Sequence, residues 1–158
     1  MNSVERKRAI RFANFIKTKV PKKNFDIGNI CRVSPLGENN PYKQLKEHQC
    51  GSVGCLIGWL PVYSPTVFKY KLADELDSTY FVVNKSYTRE KNYLKVGMKY
   101  FGLTVNQAQF CFSPVGYQSF DPSPQEAASH LLGIARKEPK ILREYSDFCS
   151  KRGYIYDI

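Results

Sequence analysis

Ser123-Pro124-Gln125-Glu126-Ala127-Ala128-Ser129-His130-Leu131-Leu132-Gly133-Ile134-Ala135 is the stretch on which the fold class turns. Ser123 reads as an N-cap, Pro124 as the first helical residue and Glu126 as the third, a helix start written three times over. Ala127, Ala128, Leu131, Leu132 and Ala135 then recur at helical spacing and form one apolar stripe. Nothing in the stretch alternates with the period of a strand. His130 falls on this helix between Ser129 and Leu131, where a structural role is the ordinary one.

The same grammar extends in both directions. Downstream, Pro139 opens a further helix carrying Ile141, Leu142, Tyr145, Phe148 and Cys149, with Gly153 as its stop and an apolar tail, Tyr154–Ile158, able to dock on the body. Upstream, Thr104 and Gln107 make a capping box for a short helix ending near Phe112, before Pro114. Gly102 suits the end of a helix over 89–101, spaced by Leu94, Met98 and Phe101. Thr79–Val83 is the one strand-like run. Thr66–Leu76 is expected to be helical, with Val67, Phe68, Leu72 and Leu76 on one side. Residues 24–49 are punctuated by Gly and Pro and read as mostly irregular, with a short helical turn at 41–47. Residues 3–19 form an amphipathic helix with Ala9, Phe12, Ala13 and Ile16 on its apolar stripe, stopped by Pro21. The expectation is a mainly α fold: a single compact domain spanning 1–158, of six or seven short helices with at most a small β-hairpin, its motif-bearing core at 50–143.

Its 158 residues suffice for a core without disulfides, and 11 Tyr, 10 Phe and one Trp supply bulky side chains to fill it. The cysteines number five, at 31, 50, 55, 111 and 149, an odd and irregular set unlike a secreted disulfide framework. No apolar run approaches the roughly 18 residues of a membrane helix. The basic N-terminus lacks the apolar segment of a signal peptide. The expected setting is the cytoplasm, without membrane contact; the oligomeric state is open.

Charge is concentrated. Of a net +10, residues 1–23 supply +7, from eight Lys or Arg against one Glu. Arg6, Lys7, Arg8, Arg11 and Lys17 lie largely off the apolar stripe, and Lys22 and Lys23 carry the charge into the next loop. Such a cluster suits an anionic partner: a nucleic acid, a nucleotide or an acidic protein. A solvated face that aids solubility has the same composition.

The second unusual segment is Cys50-Gly51-Ser52-Val53-Gly54-Cys55-Leu56-Ile57-Gly58-Trp59. Cys31, His48, Cys50 and Cys55 supply four zinc-ligand types, but their spacing is not that of a knuckle. Gly51, Ser52 and Gly54 at a helix start would offer free N–H groups to phosphate, though no Lys follows as in a P-loop. A buried helix with Gly54 and Gly58 as a flat strip, packed around by Cys55, Leu56 and Trp59, needs no ligand at all. Cys50 as an activated thiol has only His48 and His130 as partner bases. Asp74, Glu75 and Asp77 form an acidic patch that reads as a solvated face. Tyr70 with Lys69 and Lys71, Tyr87 with Arg89, and Tyr100 with Lys99 pair aromatic rings with cations, as base-stacking surfaces do.

Four elements together resemble a group of small proteins common in bacteriophage genomes. These are Phe25-Asp26-Ile27, the Cys50–Trp59 segment, Gly102-Leu103-Thr104-Val105-Asn106-Gln107-Ala108 followed by Phe110 and Phe112, and Pro124-Gln125-Glu126-Ala127-Ala128. The chain departs from that pattern at Trp59, where many relatives carry His. The resemblance implies an α-rich fold and a phage origin, hence the cytoplasm of a host bacterium, and carries no chemistry. The functional expectation is a non-enzymatic accessory protein that binds an anionic partner through the N-terminal helix, in counter-defence or host takeover, with no cofactor. A sponge for a nucleotide second messenger and a thiol- or zinc-dependent hydrolase are the alternatives.

Overall fold

The computed structural model describes residues 1–29, 31–32, 40–48, 53–72, 80–84, 93–119 and 121–151. Among them are seven α-helices: α1 Ser3–Lys19, α2 Pro41–Lys46, α3 Leu60–Tyr63, α4 Tyr93–Phe101, α5 Val105–Phe112, α6 Pro124–Arg136 and α7 Pro139–Lys151. Strands are short: β1 Cys31–Arg32, β2 Val53–Gly54, β3 Lys69–Leu72 and β4 Tyr80–Asn84. The β3–β4 hairpin dominates an antiparallel sheet of order β2-β1-β4-β3, in which β1 and β2 contribute two residues each.

The capping grammar is realised in atoms. Asn2 Oδ1 accepts from the N–H groups of Val4 and Glu5 at 3.0 Å each, and Glu5 returns a carboxylate to the Asn2 N–H. Thr104 and Gln107 form the reciprocal box that starts α5. The Ser123 hydroxyl accepts from the Glu126 N–H at 3.1 Å and starts α6. Gly102 takes φ of +63° directly after α4, a left-handed conformation that glycine adopts without cost. Lys137 does the same after α6 at φ +58°, and the Gly133 carbonyl there accepts the Glu138 N–H.

Helix α6 is the centre of the molecule. Ala127, Ala128, Leu131 and Ala135 are buried along it. α1 packs along α6 through Ala9, Phe12, Ala13 and Ile16, all buried. The small alanines bring the two axes close, and Phe12 stacks on Phe101 of α4 with ring centroids 5.4 Å apart. α7 folds back on α6 after a two-residue turn and meets it where Gly133 faces Ile141. One hydrophobic core runs from α1 through α6 to the sheet side, where Cys31, Leu56, Ile57 and Trp59 are buried.

Two expectations need correction. The segment after Ser52 does not start a helix: Val53–Gly54 is strand β2, Ile57–Trp59 is a 3-10 turn, and α3 begins only at Leu60. Pairing of Gly54 with Cys31 and a backbone bridge to Phe25 hold this stretch extended, a tertiary choice that local spacing does not encode. Residues 66–76 are not a helix either. Pro65–Val67 turn, and Lys69–Leu72 pair with Tyr80–Asn84. Phe68 and Leu72 are four apart, which fits a helix face, but Phe68, Tyr70 and Leu72 equally fit strand alternation. Available pairing decided between the two periods. Asp74, Glu75, Asp77, Tyr87, Arg89, Gly153 and the Tyr154–Ile158 tail lie outside the described residues.

Candidate functional site

The described half of the cysteine–glycine segment is built into the core. Val53 to Leu60 are all buried. The Gly54 carbonyl accepts the Trp59 indole N–H at 3.0 Å, and the Gly58 carbonyl accepts the Tyr70 hydroxyl at 2.6 Å. Cys55 N–H donates to the Asn29 carbonyl at 2.7 Å. Gly54 and Gly58 thus serve as backbone acceptors in a knot of hydrogen bonds, rather than as a helical strip. Burial pushes the Cys55 thiol up to about 11, despite neighbouring backbone N–H groups that favour the thiolate. Burial, with Cys55 nearby, also raises Cys31 well above the usual thiol range. Both are protonated, inert thiols at neutral pH. His48 lies at the edge of this cluster, its ring 6.1 Å from that of Trp59. Among the described residues no three His, Cys, Asp or Glu side chains gather as a metal ion requires. Cys50, Gly51 and Ser52 lie outside the described residues.

The basic segment is at the surface. Arg6, Lys7, Arg8, Arg11, Lys17, Lys19, Lys22 and Lys23 are all exposed. Lys22 is engaged within the fold: its ammonium is 2.6 Å from Asp121 Oδ1 and donates to the carbonyls of Asp121 and Pro122. The six cations on α1 differ. Among the described residues none of them forms an ion pair. At 100° per residue, Lys7 and Arg11 point outward, Arg6 and Lys17 flank them on one side, and Arg8 and Lys19 on the other. The Arg8 guanidinium lies over the Tyr100 ring, 5.0 Å from its centroid, so one flank joins a cation to an aromatic face. Glu5, the acid of this helix, is spent on the capping box.

A third feature lies opposite, where the end of α5, the 3-10 turn Pro114–Gly116, α6 and α7 enclose a cleft of about 580 Å³. Its construction begins with proline. The Phe110 carbonyl would ordinarily accept the N–H of residue 114, but Pro114 has none. His130 Nδ1 stands 3.2 Å from that carbonyl, and since a carbonyl only accepts, Nδ1 carries the proton. The next carbonyl, that of Cys111, accepts the Tyr117 hydroxyl. The imidazole is held between two rings, Phe110 at 4.2 Å and Tyr117 at 4.5 Å, both within 4° of parallel. Its Nε2 faces Glu144 Oε2 at 3.8 Å. Burial lowers the His130 pKa, while the Phe110 carbonyl, Glu144 and Glu126 act in the opposite sense.

The sequence reading passed over this cleft because its parts lie on different elements. A signal was nonetheless present. Gly133 and Ile141 mark the contact between α6 and α7, and one turn away from that contact His130 and Glu144 come level on the two arms of the hairpin. Comparison of the chain with protein-family models, with curated proteins and with solved structures returns no match.

Proposed function

We propose that this protein is a binding protein for an anionic macromolecule, with nucleic acid as the partner and α1 as the contact surface. The observation that carries the reading is the set of six exposed α1 cations, none compensated by an ion pair among the described residues. A fold with nothing to bind tends to intersperse such charges with acids. Either flank together with Lys7 and Arg11 offers about four cations along roughly 20 Å of helix, the reach of several phosphates. The Arg8–Tyr100 pair adds a face on which a base can stack. The resemblance to small phage proteins would place such a partner in an infected bacterium.

Fluorescence anisotropy with labelled duplex DNA, single-stranded DNA and RNA tests the proposal. Neutralising about four phosphates on duplex DNA should lower affinity about 100-fold between 50 and 200 mM salt. Replacing Arg6, Lys7, Arg11 and Lys17 with Gln should flatten that dependence and weaken binding to every sequence alike. Absence of binding to all three nucleic acids at low salt would refute it, and an acidic protein partner would then be the reading to pursue.

A further inference from the structure

We infer that the cleft between α6 and α7 is a binding site for a small organic ammonium, which donates to both His130 Nε2 and Glu144 and rests its apolar body on the aromatic wall. Its volume, about 580 Å³, is in the range of small-molecule sites. Phe110, Tyr117 and Phe148 supply apolar surface in its lining. The imidazole side chain is only 9% exposed, so it is more than nine-tenths buried, and its orientation is fixed by the Phe110 carbonyl and the two flanking rings. With the proton on Nδ1, Nε2 presents a lone pair. That lone pair faces a carboxylate oxygen at 3.8 Å, beyond hydrogen-bond reach. Two acceptors so placed repel one another until a donor stands between them, and an N–H₃⁺ group donates to both.

The charge balance selects a cation. Glu126, Glu144 and Asp147 line the cleft against Lys140 and Lys151, one more carboxylate than ammonium. Lys140 approaches the other oxygen of Glu144, Oε1, at 3.9 Å and is 82% exposed, so solvent screens it and Oε2 is left to the cleft. A phosphate or carboxylate ligand would meet three like charges. A metal ion would find too few ligands, since no third metal-binding side chain joins His130 and Glu144 among the described residues.

The test uses the full chain, with 2-phenylethylammonium as the probe and 3-phenylpropionate and tetramethylammonium as controls. Long-range ¹H–¹⁵N correlation reads the imidazole nitrogens directly, and His48→Gln assigns the signals, because the chain has two histidines. The expected result is a saturable shift of His130 Nε2 with the phenylethylammonium and none with either control. Glu144→Gln should weaken binding at least ten-fold while Nδ1 keeps its proton. If that variant does not fold, Asp147→Asn should weaken binding several-fold through charge alone. An equal shift with 3-phenylpropionate, no saturable shift up to about 10 mM amine, or unchanged affinity in the carboxylate variants would overturn the inference.

Discussion

Replacing Gly133 with Ala is the most decisive single perturbation of the fold. A methyl built on Gly133 would come within 2.3, 2.5 and 2.7 Å of Cγ1, Cβ and Cγ2 of Ile141. Ordinary carbon contacts begin near 3.5 Å, so the overlap is about 1 Å with three atoms of a stiff, β-branched side chain. Since Cβ of Ile141 is fixed to its backbone, rotamer adjustment cannot relieve the clash, and α7 must move. Overpacking of this kind costs about 1–3 kcal/mol. The exchange also gains about 1 kcal/mol of helix propensity, because Gly133 lies inside α6. The net expectation is a loss of about 1 kcal/mol. Ile141→Ala alone should cost about 2–5 kcal/mol, the buried side chain being lost from the core. In that background the clash is gone and only the propensity gain remains, so Gly133→Ala should then stabilise. Urea unfolding followed by far-ultraviolet circular dichroism measures all four corners of this cycle. Stabilisation by Gly133→Ala in the native background, or the same change in both backgrounds, would refute the close approach of α6 and α7.

Two further outcomes follow from the electrostatics. The His130 pKa is lowered from its ordinary value of 6.5, so on acidification the unfolded chain takes the proton before the folded one. Stability is therefore retained above pH 6.5 and falls as the pH drops below it, levelling only beneath the folded-state value; His130→Gln should make urea midpoints in this window less sensitive to pH. In a Cys50→Ser variant, the four remaining thiols are all buried, and burial raises the pKa of Cys31, Cys55 and Cys111. None should react with a disulfide reagent at pH 8 until denaturant is added, and a native thiol labelled at the rate of free cysteine would contradict the packing described around β1, β2 and α5.

Helix starts were readable wherever the capping side chain is local. Asn40, Thr104 and Ser123 each bond to an N–H three residues on, so sequence alone locates α2, α5 and α6. The amphipathic stripe of α1 was equally legible, since Ala9, Phe12, Ala13 and Ile16 are buried as their spacing requires. What escaped was whatever depends on a distant partner. Val53–Gly54 is extended because Cys31 and Phe25 pair with it from outside the segment. Lys69–Leu72 is a strand because Tyr80–Asn84 is there to receive it. At the candidate sites the division is the same. Charge density showed the basic face of α1, whereas the commitment of Lys22 to Asp121, 99 positions away, could only be seen in three dimensions. His130 looked structural in sequence and is structural, yet the nitrogen left over from that role faces the cleft.

The missing N–H of Pro114 has a reach well beyond its own turn. An ordinary residue at that position would bring a local donor to the Phe110 carbonyl and compete with the imidazole for it. The ring would then be at liberty to place its proton on Nε2 and point a donor, instead of an acceptor, at Glu144. An amino acid with no donor of its own thus sets which side of a histidine is basic, on a helix that starts ten residues later. In this molecule the polarity of a cleft is written in a residue that contributes no polar atom to it.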